Sequence, residues 1–288
     1  MMGVIIETPQ LSMEITLVSI ESLFIHEETI PKELEKLKRD LIAAQVLKHP
    51  LIVDSSTLVV LDGMHRVAAL KALGCQMAAV CLVDYQNPVI ELLAWHREFS
   101  GNLEVSEFEK NLSKRGPFNL IPTSIAKAFE SVKHRKADVA LANGKSAHLI
   151  NFPNNPSIKT VYDEISNIEI LAQEMGYNLL YSTESDAIES IHSALRPVLI
   201  VPSLTKEEVI EWALKKEVFT HKTTRHVVPA RPLFVNVPLP WLKQSNLSKA
   251  NQKLKEYLEK KLIIEKETGA IINGRRYEEH CFIFTDPE

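Results

Sequence analysis

The chain is short of cysteine, of basic excess and of long apolar runs, and each shortage narrows what it can be. Three cysteines, Cys75, Cys81 and Cys281, are scattered through 288 residues with no C-x-x-C spacing. So sparse and odd a set argues against a disulfide framework and against a zinc site. It leaves thiols within predicted helices and strands as small buried hydrophobes. No apolar run approaches the roughly 20 residues that cross a bilayer. The start, MMGVIIETPQ, lacks the basic region and long apolar core of a signal peptide. The expectation is a cytoplasmic protein with no membrane partner. The formal net charge of −4 weighs against a duplex-DNA binder, because phosphate neutralisation supplies most of that affinity. Internal repeats and low-complexity tracts are also missing.

What is present is an ordinary globular composition, 45% hydrophobic and 24% charged. The length suits two domains of roughly 100–200 residues each. Met13–His26 mixes alternation with β-branched residues and reads as a strand leading into a loop. Pro31–Gln45 starts with proline and lines up Leu34, Leu37, Leu41 and Ile42 as one helical face. HPLIVD and TLVVLDG read as strands, MHRVAALKALGC as a helix stopped at Gly74, and QMAAVCLVDY as a strand. Asn87–Phe99 is expected to be a helix with Asn87 as N-cap and Pro88 at its first position. A domain boundary is placed in Phe99–Glu107, giving domains 1–100 and 101–288. Beyond it, ADVALANGKSAHLI reads as a hairpin turning at Asn143-Gly144. The stretch ending at Gly176 reads as a helix, and SDAIESIHSAL as one capped by Ser185. SLTKEEVIEWALKKE opens on a Thr205/Glu208 capping box. NLSKANQKLKEYLEKKL reads as a charged helix, HCFIFTD as a strand, and Gly274–Arg276 as a hairpin turn. The fold class is α/β (α+β).

The stretch LDGMHRVAALKALGC, Leu61–Cys75, concentrates chemistry. A strand ends at Asp62 and a helix begins near Met64. Gly63 lets the backbone turn and leaves room for a ligand. The N–H groups of a helix start attract anions, and His65 and Arg66 add donors for phosphate oxygens. Asp62 suits a magnesium ion or the orientation of a hydroxyl. The plainer reading makes Asp62 an N-cap and leaves His65 and Arg66 solvated.

DGMHRVAALKALG resembles the signature of the ParB/sulfiredoxin-like superfamily, whose strand-to-helix turn binds nucleotide phosphates. Sulfiredoxins carry a catalytic cysteine where this chain has Met64, so their thiol chemistry does not carry over. ParB proteins follow an arginine-rich version of this box with a helix-turn-helix domain, and no such segment is found after residue 100. The free L-serine kinase group is similar over more of the chain. Phe24–Thr29 (FIHEET) resembles its H-E segment, which implies Glu27 as catalytic base with His26 positioning it. Trp95–Phe99 (WHREF) resembles a stretch beside its substrate, and His221–Val227 (HKTTRHV) matches its T-T-R-H segment. The C-terminal part is closer to bacterial members linked to siderophore synthesis.

Read without the resemblance, Glu27 and Glu28 are a polar loop before a helix, Trp95 is core, and the 221–226 cluster is a solvated loop. With it, the expectation is an N-terminal ParB/sulfiredoxin-like domain, a C-terminal α/β domain and an active site in the cleft between them. The resemblance implies a kinase that phosphorylates free L-serine to O-phospho-L-serine. Its donor would be ATP, weakly favoured over ADP, with magnesium. Glu27 and Asp62 would be catalytic, with Asp62 also the magnesium ligand. Gly63, Met64, His65 and Arg66 would bind the nucleotide. Trp95, Lys222, Thr223, Thr224, Arg225 and His226 would bind substrate, Thr224–His226 most strongly. The product would serve as a cysteine or siderophore precursor. Two competing readings are a ParB-type nucleotide-sensing DNA-binding regulator and a ligand-sensing relative without turnover.

Overall fold

A computed structural model describes residues 3–101, 107–108, 110–112, 118–144, 146–193 and 196–287. Residues 102–106 of the expected boundary segment lie outside the described residues. The chain divides into two compact units. The first comprises 1–91, 206–221 and 226–288; the second comprises 92–205 and 222–225. The C-terminal stretch, which the sequence reading joined to a second domain from residue 101 onward, is thus built on the first unit.

The first unit contains a five-stranded sheet in the order Val4–Glu7, Ser12–Ser19, Met77–Val83, Leu51–Asp54, Val60–Asp62. Met77–Val83 is buried at all but one position, as expected of a central strand covered on both faces. It runs parallel to Leu51–Asp54 (Leu51 opposite Val80) and antiparallel to Ser12–Ser19 (Met13 opposite Val83). A parallel pair needs a crossover, and the helix Met64–Ala72 lies on that connection. The helix Pro31–Ala44 has proline at its start, as the sequence indicated, and ends at Gln45 with φ 56°.

The C-terminal residues complete this unit through backbone and side-chain bonds. Val237–Pro238 pairs with Val46–Leu47. Asn251, on the helix Leu247–Leu258, brackets Leu17: its Oδ1 accepts from Leu17 N–H at 2.7 Å, and its Nδ2 donates to Leu17 C=O at 2.9 Å. A three-stranded sheet, Ala230–Leu233, His280–Thr285, Leu262–Lys266, follows. The expected Gly274 hairpin joins Ile271–Ile272 to Arg275–Arg276.

The second unit carries a six-stranded sheet in the order Asn178–Ser182, His96–Ser100, Val198–Ile200, Val139–Ala142, Ala147–Asn151, Asn119–Thr123. Val139–Ala142 and Ala147–Asn151 form the hairpin expected at Asn143-Gly144. Small side chains dominate the core here, with Ala128, Ala140, Ala142, Ala147 and Ala187 packed around Val198 and Ile200. Ser124, Ser157 and Thr183 cap the helices Ile125–Lys133, Ile158–Glu174 and Glu184–His192.

Two local expectations are corrected. Asn87–Phe99 is not a helix: Glu91–Leu93 and His96–Ser100 are strands. Asn87 caps a turn instead, its Oδ1 accepting from Val89 N–H at 3.1 Å. His96–Phe99 are all buried, and the strand pairs with Asn178–Ser182 on one edge and Val198–Ile200 on the other. Sheet packing on both edges overrides the helical pattern. Thr183, not Ser185, caps Glu184–His192, accepting from Asp186 N–H at 3.3 Å.

Candidate active site

In the first unit the strand Val60–Asp62 runs into the helix Met64–Ala72 through Gly63, whose φ is 113°. A side chain is excluded there twice over. The φ lies where L-residues are strained, and a Cβ would stand 2.6 Å from Leu51 Cδ2 and 2.9 Å from Arg66 Nε.

Arg66 turns back along the strand end, donating from NH1 to the carbonyls of His49 (3.0 Å) and Pro50 (2.6 Å) and lying 3.2 Å from Asp62. His65 has a structural duty as well. Its Nε2 accepts from Ile30 N–H at 2.9 Å, which places the ring proton on Nδ1 and anchors the residue preceding Pro31.

Asp62 lies between two guanidinium groups, Arg66 and Arg231, the second bonding its Oδ2 directly. Burial works to raise the Asp62 pKa, but Arg231 and Arg66 outweigh it and hold the carboxyl well below the usual range. Arg231 also donates from Nε to Glu279 at 2.7 Å. Burial opposes its charge, yet Asp62 and Glu279 raise its pKa above the ordinary value. Arg231 and Glu279 were not singled out in the sequence. Arg231 is 169 positions from Asp62, and nothing in Ala-Arg-Pro-Leu marks it.

Glu27 lies on an extended segment bridged to Phe219: Phe219 N–H donates to His26 C=O at 2.8 Å, and Glu28 N–H donates to Phe219 C=O at 2.9 Å. Adjacent residues on an extended chain point opposite ways, and here Glu27 is buried while Glu28 is exposed. His26 beside it is fully buried, and desolvation pulls its pKa down to about 4 against a hydrogen bond with the Val60 backbone.

The His26 and His226 rings meet edge to face at 5.4 Å. His226 Nε2 is 2.8 Å from the hydroxyl of the fully buried Tyr85. Burial and His26 push the His226 pKa well below its ordinary value, with Asp62 acting in the opposite sense. His226 is a neutral imidazole at pH 7, packed between His26 and Tyr85. Tyr85 is a further participant that sequence reading missed.

The second unit gathers the other candidate residues. Trp95, between two strands rather than in the expected helix, has Lys222 Nζ 5.1 Å and Arg225 Cζ 5.7 Å from its ring centroid. Thr223 and Thr224 are buried, and the Tyr162 hydroxyl reaches Thr223 C=O at 3.4 Å. Arg97 is wholly buried. It donates to Trp95 C=O at 2.5 Å and to Glu169 at 2.6 Å, fixing the backbone on which the indole is mounted. The segment 221–226 is divided: His221 and His226 belong to the first unit and 222–225 to the second.

The three cysteines are buried and unpaired in disulfides, as the sequence indicated. Among the described residues no group of three His, Cys, Asp or Glu side chains could hold a metal ion, and no helix is long and apolar enough to cross a membrane.

No protein-family model matches the chain. Known proteins do resemble it over most of its length. An ATP-dependent L-serine kinase of Staphylothermus marinus is 30% identical over 248 residues, 82% of this chain and 94% of the relative. An ADP-dependent L-serine kinase of Thermococcus kodakarensis is 26% identical over 242 residues, 81% of this chain and 95% of the relative. Among solved structures, a free serine kinase in complex with AMP superposes with a TM-score of 0.65 at 26% identity, covering 79% of this chain and 93% of that one. With 30% identity sustained over 82% of its length, the chain belongs to the free L-serine kinase family.

Proposed function

We propose that the protein transfers the terminal phosphoryl group of a nucleotide to the hydroxyl of free L-serine, giving O-phospho-L-serine. The observation that carries this reading is the convergence of two segments on His226. One edge of that imidazole meets the segment holding buried Glu27, and its electrostatics include Asp62 at the mouth of the Gly63 turn. The segment holding Glu27 is tied on both sides to that turn, Val60 N–H donating to Phe24 C=O at 2.8 Å and Ile30 N–H to His65 Nε2 at 2.9 Å, which brings a buried carboxylate toward a helix start, where phosphates bind.

In this reading Glu27 takes the serine hydroxyl proton as the oxygen attacks the terminal phosphorus and the bond to the departing nucleotide oxygen breaks. The backbone from Gly63 to Arg66 receives the donor phosphates. Arg66, already engaged with two carbonyls and Asp62, holds the turn in shape and contributes positive charge. Trp95, Lys222, Thr223, Thr224 and Arg225 bind the amino acid, the two cations suiting its carboxylate. His226, neutral and bonded to Tyr85, orders the wall beside Glu27.

Asp62 would hold magnesium together with the nucleotide phosphates rather than within a protein cage, the usual habit of this ion. Both arginine contacts of Asp62 fall on Oδ2, so Oδ1 is the oxygen to face a hydrated ion. When bound, the ion would supply charge neutralisation on the phosphates. ATP is the favoured donor, since the relative that is 30% identical is ATP-dependent and the ADP-dependent one is 26% identical.

The test is to incubate the purified protein with serine, magnesium and either ATP or ADP, and to follow O-phosphoserine by mass spectrometry. Product with ATP and little with ADP is expected. Glu27→Gln should lower kcat by about 10²–10⁴-fold, whereas Glu28→Gln should leave it near wild type. Failure to form product with either donor refutes the activity. A fully active Glu27→Gln variant refutes the assignment of the base.

A further inference from the structure

The strand Leu262–Lys266 is exposed at all five positions. It pairs antiparallel with His280–Thr285, Ile264 lying opposite Ile283. The sheet order leaves it at an edge, with no strand on its other side among the described residues. Leu262, Ile263 and Ile264 are 53%, 44% and 45% exposed. Side chains alternate along a strand, so three consecutive apolar residues put wet hydrocarbon on both faces of this edge. Sheet edges ordinarily carry inward charges, prolines or bulges that discourage pairing. Here the charges only flank the apolar run, Lys261 before it and Glu265 and Lys266 after it.

We propose that this strand is a homodimer interface, in which it pairs antiparallel with the same strand of a second copy about a two-fold axis at Ile263. The identity of the occupant is argued from the pattern of the segment itself. Reversed about Ile263, Lys261-Leu262-Ile263-Ile264-Glu265 is complementary to itself. Lys261 meets Glu265 of the partner subunit, Leu262 meets Ile264 of the partner subunit, and Ile263 meets its own copy. Every position in the ladder finds a partner of matching chemistry, with an opposite-charge pair closing each end. Pairing about Ile264 instead would set Lys266 against Leu262 and Glu265 against Ile263, leaving charge against hydrocarbon at four places. Glu265 is on the surface beside His280 at 3.5 Å; Lys261, just before the strand, has a side chain only 4% exposed and bonded to Asp286 at 2.6 Å, so its pairing with the partner's Glu265 exchanges one carboxylate for another. The free backbone edge supplies the ladder bonds, and the three apolar side chains of each copy leave water on both faces of the joined sheet.

The experiment uses the full chain. Sedimentation or light scattering from low to high micromolar protein should show a species of twice the 32.5 kDa chain mass. Ile263→Lys, which sets two like charges together on the axis, should halve that mass. Because the side chain is exposed, it should leave the circular dichroism spectrum unchanged, while the Tm loses the concentration dependence that a dimer confers. Ile263→Cys should form a disulfide-linked dimer under mild oxidation, since opposite residues of an antiparallel pair stand within disulfide reach. Wild type should not, its three thiols being buried. Ile264→Cys, whose opposite residue is Leu262, should cross-link far less. A monomer at every concentration overturns the proposal. So does a dimer indifferent to Ile263→Lys, or equal cross-linking through positions 263 and 264.

Discussion

Replacing Arg231 with methionine keeps the aliphatic stem and removes a guanidinium that joins Asp62 to Glu279. Two charge-assisted bonds are lost, and the Glu279 carboxylate, 15% exposed, is left without that cation. Breaking one side of a buried pair costs about 3–5 kcal/mol. Asp62 is 38% exposed and keeps Arg66 at 3.2 Å, so its share is discounted for solvent screening, and about 3 kcal/mol is expected. For a domain of this size that lowers Tm by roughly 6–12 °C. Adding Glu279→Gln removes the stranded charge. The double variant should therefore be more stable than the sum of the two single losses allows, with a coupling of about 1.5–3 kcal/mol.

The acid limb supplies a second readout. A carboxyl whose pKa is depressed in the folded state contributes stability that is full above its unfolded value and is lost as pH falls toward the folded one. Arg231→Met moves the folded Asp62 pKa back up, so the variant should lose less stability than wild type below about pH 4. Urea melts across pH, on the two single variants and the double, measure all of this. Strict additivity, or a loss within about 0.5 kcal/mol for Arg231→Met, would refute the bridging role.

Gly63→Ala should cost about 1–3 kcal/mol from the left-handed φ alone, with the clash against Leu51 in addition. It should also abolish nucleotide binding in an isothermal titration; unchanged affinity would mean that the turn does not hold the phosphates. His26, His49 and His96 are each lowered to about 4 by burial. Their neutral forms contribute stability that is complete above the ordinary 6.5 and is lost as pH falls toward 4. Denaturant midpoints should decline across that window, and His26→Gln should flatten the decline.

The features legible in the sequence are those set by neighbours in the chain. The Asp62–Gly63–Met64 turn, the Asn143 hairpin and the proline-started helix each announce themselves within a few residues, because backbone sterics and local bonds decide them. The burial of Glu27 over Glu28 was not legible, since it depends on the bridge to Phe219. Asn87–Phe99 failed for a related reason: its second strand exists because Asn178–Ser182 and Val198–Ile200 flank it, and no local pattern records that. Arg231, Glu279 and Tyr85 enter the site from distant positions through long-range bonds, and each looks unremarkable among its neighbours. The family resemblance supplied Trp95 and the 222–226 cluster, but Arg97, which holds the carbonyl of Trp95, had no counterpart to draw on.

The interleaving of the chain has a consequence for synthesis on the ribosome. Residues 92–205 emerge as one piece and lack only 222–225, so the second unit is nearly complete while translation continues. The first unit cannot close until the helix Leu247–Leu258 emerges and Asn251 brackets Leu17. Until then the strand Ser12–Ser19 waits with its Leu17 amide and carbonyl bonded only to water. The half of the enzyme made first is the half finished last, and it is the half for which a chaperone has the most time to act.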